Sequence, residues 1–301
     1  MRRVAFLTMK NPEGFFVYDQ LLVAPLSQRG WEVIDVPWDE EGVDWSRFDA
    51  VIIRSPWDYQ QNASHFLHVL AEISASGTKL FNSLEVVRWN IRKTYLLDLE
   101  RLGIPIVPTL WGSHLRADDL AGAYEQFETD TLVIKPVVGA NADDTFRLRL
   151  GDTESAEEAM RVHQVRPYQL QPYIESIETE GEWSLFHFRG QYSHAILKRP
   201  ASGDFRVQEE HGGRIAAAEP EPAARELADR IGAAIPFDTL YARIDLIRLS
   251  NGDFATMEVE LIEPSLYFQC DERSPERFCD AFVEAMTESE STAGSFTEGP
   301  A

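Results

Sequence analysis

Apolar positions over the first 80 residues switch between short unbroken runs and helically spaced stretches. Val4-Ala5-Phe6-Leu7-Thr8 and Asp49-Ala50-Val51-Ile52-Ile53-Arg54 read as buried strands, and Trp31-Glu32-Val33-Ile34-Asp35-Val36 alternates at period two. Between them, Tyr18 to Arg29 carries helical spacing and stops at Gly30, and Phe66 to Ile73 reads as a helix ending at Gly77. Strands alternating with helices predict a small parallel sheet covered on both faces. Further along, Arg92 to Leu102 is helical and closes at Gly103, with Pro105 beyond. From Thr131 the pattern turns to strands: Thr131 to Pro136, then Thr145 to Leu148. Trp183 to Leu197 holds two strand-like stretches joined at Arg189-Gly190-Gln191. Pro222 to Ile235 is helical, and Tyr241 to Leu249 and Phe254 to Leu261 flank Ser250-Asn251-Gly252-Asp253, a hairpin signal. No internal repeat is visible.

Composition narrows the class. The chain has 301 residues, 44% of them apolar and 11% aromatic, enough for a full core and two or three subdomains. No run approaches a membrane span, and the short apolar start followed by polar residues from Met9 to Gly14 reads as a first strand, not a signal peptide. Cys270 and Cys279 lack metal or disulfide spacing, which fits a reducing cytoplasm. The net charge of −22 disfavours nucleic acid. Basic residues are mostly arginine. The scarce lysines, Lys10, Lys79, Lys93, Lys135 and Lys198, sit either where a compact ammonium is needed or where base composition left them.

Phosphate-loop, dinucleotide, nucleophile-elbow and HExxH motifs are all absent. His65 and His68, three apart on a helix, read as surface or packing residues. The C-terminal hairpin carries the strongest chemical signal. Glu258 and Glu260 share one strand face, and the Asn-Gly turn brings Asp245 alongside. Three converging carboxylates suit Mg²⁺. A solvated acidic strand is the plainer alternative, but the apolar flanks argue that the other face is buried. Lys135 ends a buried strand before the small-residue loop Gly139 to Asp144, a place from which an ammonium meets phosphates.

These motifs, in this order, resemble the ATP-grasp superfamily, which includes glutathione synthetase and D-alanine–D-alanine ligase. The resemblance spans Arg88 to Pro264. It implies an α/β ATP-grasp fold preceded by a small parallel-sheet, Rossmann-like domain: 1–85 for substrate, 86–175 as central lid, 176–288 with the metal site, and 289–301 as a flexible tail. It implies ATP and Mg²⁺, two ions, as cofactors. Lys93 and Lys135 look like the nucleotide lysines, with Gly139 in the lid loop. Gln171-Pro172-Tyr173-Ile174 resembles the segment reading the adenine edge, and Glu178 the ribose acid, with Glu180 close enough to compete. Asp245, Glu258 and Glu260 match the metal ligands, although Glu260 stands where those relatives carry asparagine. Arg206, before Gly212-Gly213, resembles the arginine over the acyl phosphate, and Arg243 and Lys198 join it.

Ile53-Arg54-Ser55-Pro56-Trp57-Asp58-Tyr59, with Ser193-His194-Ala195 and Lys198-Arg199-Pro200, is similar to the branch containing the cycloserine-forming ligase, which closes O-ureido-D-serine to D-cycloserine. Arg54, Trp57, Asp58 and Tyr59 follow a strand end, where open α/β sheets gather ligands, and are expected to meet the substrate, Arg54 at its carboxylate. A packed turn is the alternative. The implied chemistry turns the carboxylate of an amino-acid-like small molecule into an acyl phosphate for attack by an amine or an internal nitrogen. Joining two amino acids, or extending a peptide terminus, is the rival reaction, and a non-catalytic nucleotide-binding regulator the rival class. No nucleic acid or membrane partner is expected, and monomer and homo-oligomer stay open.

Overall fold

The computed structural model describes residues 1–295, built on three sheets. In the first, β1 (Arg2–Thr8), α1 (Val23–Gln28), β2 (Trp31–Pro37), β3 (Ala50–Ser55), α2 (Ala63–Ala75) and β4 (Lys79–Phe81) give four parallel strands in the order β2-β1-β3-β4. Alternate residues serve two cores, which is why the apolar runs are unbroken. Val4, Phe6, Ala50 and Ile52 pack on Leu22 and Leu26, while Ala5, Leu7, Val51 and Ile53 pack on Phe66, Leu70 and Ile73.

Two short helices follow, α3 (Leu84–Asn90) and α4 (Tyr95–Arg101), so the helix expected from Arg92 starts three residues later. At the break, the Lys93 N–H bonds the Val137 carbonyl 2.8 Å away instead of continuing α3. Then come β5 (Leu110–Gly112), α5 (Ala117–Gln126), β6 (Thr131–Pro136), β7 (Phe146–Arg149), α6 (Thr153–His163) and β8 (Tyr168–Pro172). They form an antiparallel lid sheet, ordered β5-β8-β6-β7. Its outer face, with Leu132, Ile134, Leu148 and Leu170, is buried with Leu120, Ala123 and Ala159 of the two helices.

The C-terminal part runs α7 (Ser176–Thr179), β9 (Glu182–Phe188), β10 (Gln191–Arg199), β11 (Arg214–Ala217), α8 (Pro222–Ala234), β12 (Tyr241–Arg248), β13 (Phe254–Glu260) and α9 (Ser274–Ser295). Its sheet is antiparallel, ordered β11-β10-β9-β12-β13. One face, including Trp183, Leu185, Leu197, Ile244, Leu246 and Val259, packs on Leu227, Ala228 and Ile231 of α8. The other packs Phe186, Phe188, Ile196 and Tyr241 against the first sheet and Phe278 and Phe282 of α9, and keeps its remaining polar residues for a cleft. Helix α9 continues to Ser295, into the segment expected as a tail, and 296–301 lie outside the described residues. Among the described residues no helix is long and apolar enough to cross a membrane.

Candidate active site

A single cleft is lined by the inner face of the lid sheet, the polar face of the C-terminal sheet and a segment of the first domain. Strand alternation decides what faces it: Arg243 and Asp245 share a side of β12, and Glu258 and Glu260 a side of β13. The register sets Asp245 opposite Glu258 and Ser184, Arg243 opposite Glu260, and Lys198 opposite Glu182. Gly181 makes the last pair possible. Its φ is +111°, and a Cβ there would sit 2.5 Å from the Lys198 carbonyl oxygen. Between Asp245 and Leu246 the register skips Met257, a bulge that turns this residue into the cleft with its sulfur 3.4 Å from Lys135 Nζ.

Opposite charges interlock on this face. Lys198 contacts Glu182 closely and lies 3.5 Å from Asp245, and Arg243 reaches Asp245 at 2.9 Å and contacts Glu260. Lys93 contacts Glu258. Burial works against the Asp245 charge, but Arg243 and Lys198 outweigh it and hold the carboxyl down at about 2. Burial pushes Glu260 up to about 7 despite Arg243, with Glu258 and Asp245 adding to the rise. Burial and the neighbouring Glu260 raise Glu263 to about 8. The Lys135 ammonium is held below its usual range by burial, and among the described residues no carboxylate lies within ion-pair distance of it.

The donor chemistry fits Mg²⁺: every candidate ligand is a carboxylate, and burial raises one of them, Glu260, together with the neighbouring Glu263. As placed, however, Glu258 turns to Lys93 and Glu260 to Arg243, and no three acidic, histidine or cysteine side chains among the described residues converge closely enough to hold an ion. Nucleotide fit is direct. Val107, Val133, Tyr173, Ile174, Ile177 and Met257 make an apolar slot between the two sheets, with Lys93, Lys135 and Lys198 beyond it. Three of the five lysines thus line one cleft, while Lys10 and Lys79 are exposed.

The other sequence candidates divide. Gly139, Gln171, Tyr173, Ile174, Arg206, Arg243 and Trp57 line the cleft. Arg206 is forked onto Asp204, and Gly213 crosses so near that a Cβ would lie 2.1 Å from the Val207 carbonyl oxygen. Glu178 does not line it: Arg147 bonds its carboxylate at 2.9 Å and the Tyr173 hydroxyl donates to it. Glu180 is taken by Arg248 and Trp183. The cleft acid at this position is Glu182, which sequence reasoning passed over; its signal was its place two before Ser184 on a strand hairpinned to Lys198.

Three substrate expectations need correction. Arg54 is 1% exposed, forked onto Asp19 at 2.8 and 3.0 Å, and hydrogen-bonded toward the Pro264 carbonyl, with the Tyr241 ring below it. It does not line the cleft. Asp58 accepts from the Trp38 indole at 2.6 Å, and Tyr59 packs in the first core, its phenol raised by burial and by Glu263. Only Trp57 reaches the cleft, its indole bonded to the Glu263 carbonyl. Residues not anticipated join it there: Phe16, Phe205, Glu209, Glu210, Ser265 and Tyr267.

Comparison with known proteins agrees with this division of the molecule. Residues 4–82 match the N-terminal domain of D-cycloserine synthetase DcsG, and residues 115–264 match the ATP-grasp domain of prokaryotic glutathione synthetase. The cycloserine biosynthesis protein DcsG of Streptomyces lavendulae is 32% identical over 272 residues, 85% of this chain and 88% of that one. The chain belongs to the ATP-grasp family. Like the ATP-grasp relatives it matches, it is an ATP-dependent carboxylate–amine ligase or cyclo-ligase. The crystal structure of D-cycloserine synthetase DcsG superposes with a TM-score of 0.82 at 30% identity, covering 94% of this chain and 99% of that one. The ATP-grasp ligase PsnB, solved with a phosphomimetic variant of its minimal precursor, Mg and ADP, shares the fold at 18% identity and a TM-score of 0.66, covering 94% and 98%.

Proposed function

We propose that this enzyme activates the carboxylate of a small amino-acid derivative with ATP and closes it onto a nitrogen of the same molecule, the ring closure of O-ureido-D-serine to D-cycloserine being the favoured case. The observation that best supports the chemistry is the register that joins Asp245 to Glu258 and Arg243 to Glu260 in the cleft that Lys135 enters without an acidic partner. Similarity along both the first domain and the ATP-grasp part favours the cycloserine-type reaction over dipeptide or peptide-terminus ligation.

The roles follow from position. The slot around Tyr173 and Ile174 takes the adenine, and Glu182, not Glu178, takes the ribose hydroxyls. Lys93 and Lys135 neutralise phosphate charge, and the loop with Gly139 covers it. Asp245, Glu258 and Glu260 would hold one or two Mg²⁺, which supply charge neutralisation at the β- and γ-phosphates. Lys93 and Arg243 must first release Glu258 and Glu260. Arg243 and Arg206 hold the carboxylate and the acyl phosphate, for which a rigid guanidinium fork is suited, and Lys198 keeps Asp245 ionised.

In the first step a carboxylate oxygen attacks the γ-phosphorus and ADP leaves. In the second, the nitrogen attacks the acyl carbon, inorganic phosphate departs and the nitrogen loses a proton. With an O-ureido substrate, water then breaks the bond from that nitrogen to its carbamoyl group, which leaves as carbamate and decays to carbon dioxide and ammonia. Glu209, steadied by the Tyr18 hydroxyl at 3.2 Å to each oxygen, stands with Glu210 at the substrate end, and no cation among the described residues pairs with either. They suit an ammonium group carried by the substrate.

An ADP-release screen over amino acids and their O-ureido derivatives, with product masses, tests this reading. ADP release with a product equal to one substrate less water, or, for an O-ureido substrate, less water and its carbamoyl group, means ring closure, and a mass joining two substrates would overturn it in favour of condensation.

A further inference from the structure

The inner face of the lid sheet carries a row in which the roles above use Lys135 and leave its two neighbours unexplained. Register aligns Trp111 of β5 with Gln169 of β8, and Gln169 with Lys135 of β6. Residues paired this way project to the same face, with Cβ atoms about 4.5–5.5 Å apart. Their sequence neighbours Leu110, Leu170 and Ile134 point the other way, into the lid's own core, so the row is fixed on the cleft side. Gln169 is 2% exposed.

Two atoms in this row are buried without a hydrogen-bond partner: the Gln169 Oε1 and the Trp111 Nε1. Leaving a buried polar atom without a partner is destabilising, and native interiors keep few such atoms. An apolar side chain at position 169 would avoid the cost, so packing does not explain a glutamine there. The third member of the row supplies a reason. Lys135 Nζ carries three protons, and its contact in this structure is the Met257 sulfur at 3.4 Å, a weak acceptor. A free-swinging ammonium in this cleft would turn toward Glu258, as Lys93 does, and its charge would be spent on a carboxylate.

We propose that Gln169 is a positioning residue for Lys135 in the nucleotide complex: small side-chain turns from the unbonded arrangement seen here let its amide oxygen accept from the ammonium with one lone pair and from the Trp111 indole with the other, so that the remaining ammonium protons are directed at the nucleotide phosphates. A carbonyl oxygen has two lone pairs, and the row puts one unmatched donor on each side of it. Gln169 itself does not line the cleft and acts only through its neighbour. The inference rests on the reading of Lys135 as a nucleotide lysine.

Calorimetric titration of the full chain with MgATP and MgADP tests it, using Gln169→Leu, Gln169→Met, Lys135→Ala and the Gln169→Leu/Lys135→Ala double variant, each checked by thermal melting. Both Gln169 variants are expected to bind MgATP about ten-fold more weakly, Lys135→Ala more weakly still, and the double variant no worse than Lys135→Ala alone. Gln169→Met keeps the volume of the side chain, so it reports on the oxygen even if Gln169→Leu melts early. Wild-type affinity in Gln169→Met, or a loss that adds in full to that of Lys135→Ala, would overturn the proposal. Wild-type affinity in Lys135→Ala would instead remove the nucleotide role of Lys135, and the positioning role with it.

Discussion

At the end of β3, the Arg54 guanidinium is closed off by Asp19, capped by a carbonyl and laid over the Tyr241 ring. At the end of β6, Lys135 also lies at a strand end in a buried setting, yet its ammonium opens on the cleft and meets a thioether. Both cations end apolar runs, and both are candidates by the rule that ligands gather at strand ends. What separates them is the partner. A carboxylate brought from 35 residues away turns Arg54 into a girder that ties the first sheet to the turn after β13, while Lys135 keeps its charge for something that is not protein. The same turn is fixed by several other bonds. Asn82 bonds the Leu261 carbonyl, Asn90 accepts from the Leu261 N–H, and the Tyr241 hydroxyl bonds the carbonyls of Ile53 and Ile262. The first domain therefore shapes the cleft by holding the chain that follows β13.

Substitution breaks the comparison most sharply. Lys135→Ala should lower kcat/KM for ADP release by about 10³-fold, with a nearly unchanged melting temperature, because charge is lost where it develops in the transition state. Arg54→Ala should do the reverse. It leaves Asp19 buried and unpaired, and urea unfolding should register a loss of about 3–5 kcal/mol with KM for the carboxylate substrate little changed. Arg54→Met combined with Asp19→Leu should recover most of that loss; a large rise in substrate KM in this pair would return Arg54 to the substrate site.

How far the sequence foretold this division depends on the range of the interaction. The Asn251-Gly252 hairpin and the apolar runs are local, and they foretold β1 to β3, β6, β7, β9, β10 and the acidic face of β12 and β13, whereas β4, β5, β8 and β11 went unread. The pairing of Arg54 with Asp19 is not local, so a strand-end arginine looked like a ligand contact. Glu178 was preferred for its distance along the chain from Gln171, but α7 turns it toward Arg147, and strand alternation starting at Gly181 presents Glu182. The bulge at Met257 leaves no pattern at all. Helices α5 and α6 went unread because each buries only two side chains, Leu120 and Ala123 in one and Ala159 and His163 in the other, too few for an apolar stripe.

A third test uses pH. Burial between Phe186 and the Leu266 carbonyl lowers His194 to about 4, against an ordinary value near 6.5, and burial lowers His187 and His163 as well. The unfolded chain then binds the proton more tightly than the native one. Stability is full above about 6.5 and falls as pH drops toward 4, by about 3 kcal/mol from His194 alone. The raised Glu260 and Glu263 act in the opposite direction in both proteins, so the readout is the difference. The stability of wild type relative to His194→Phe, from denaturant unfolding, should fall by that amount between pH 6.5 and 4, and a difference independent of pH would show that His194 is not desolvated. The smallest effect separates the two glutamates. Glu182→Gln should raise the KM for ATP about ten-fold, and Glu178→Gln should leave it within about two-fold.

The fate of the carboxylate oxygen tests the central chemistry most directly. A substrate labelled with ¹⁸O in its carboxylate, turned over with MgATP, should yield inorganic phosphate carrying one label and unlabelled ADP. Unlabelled phosphate, or label recovered in AMP, would mean that the carboxylate never became an acyl phosphate in this cleft.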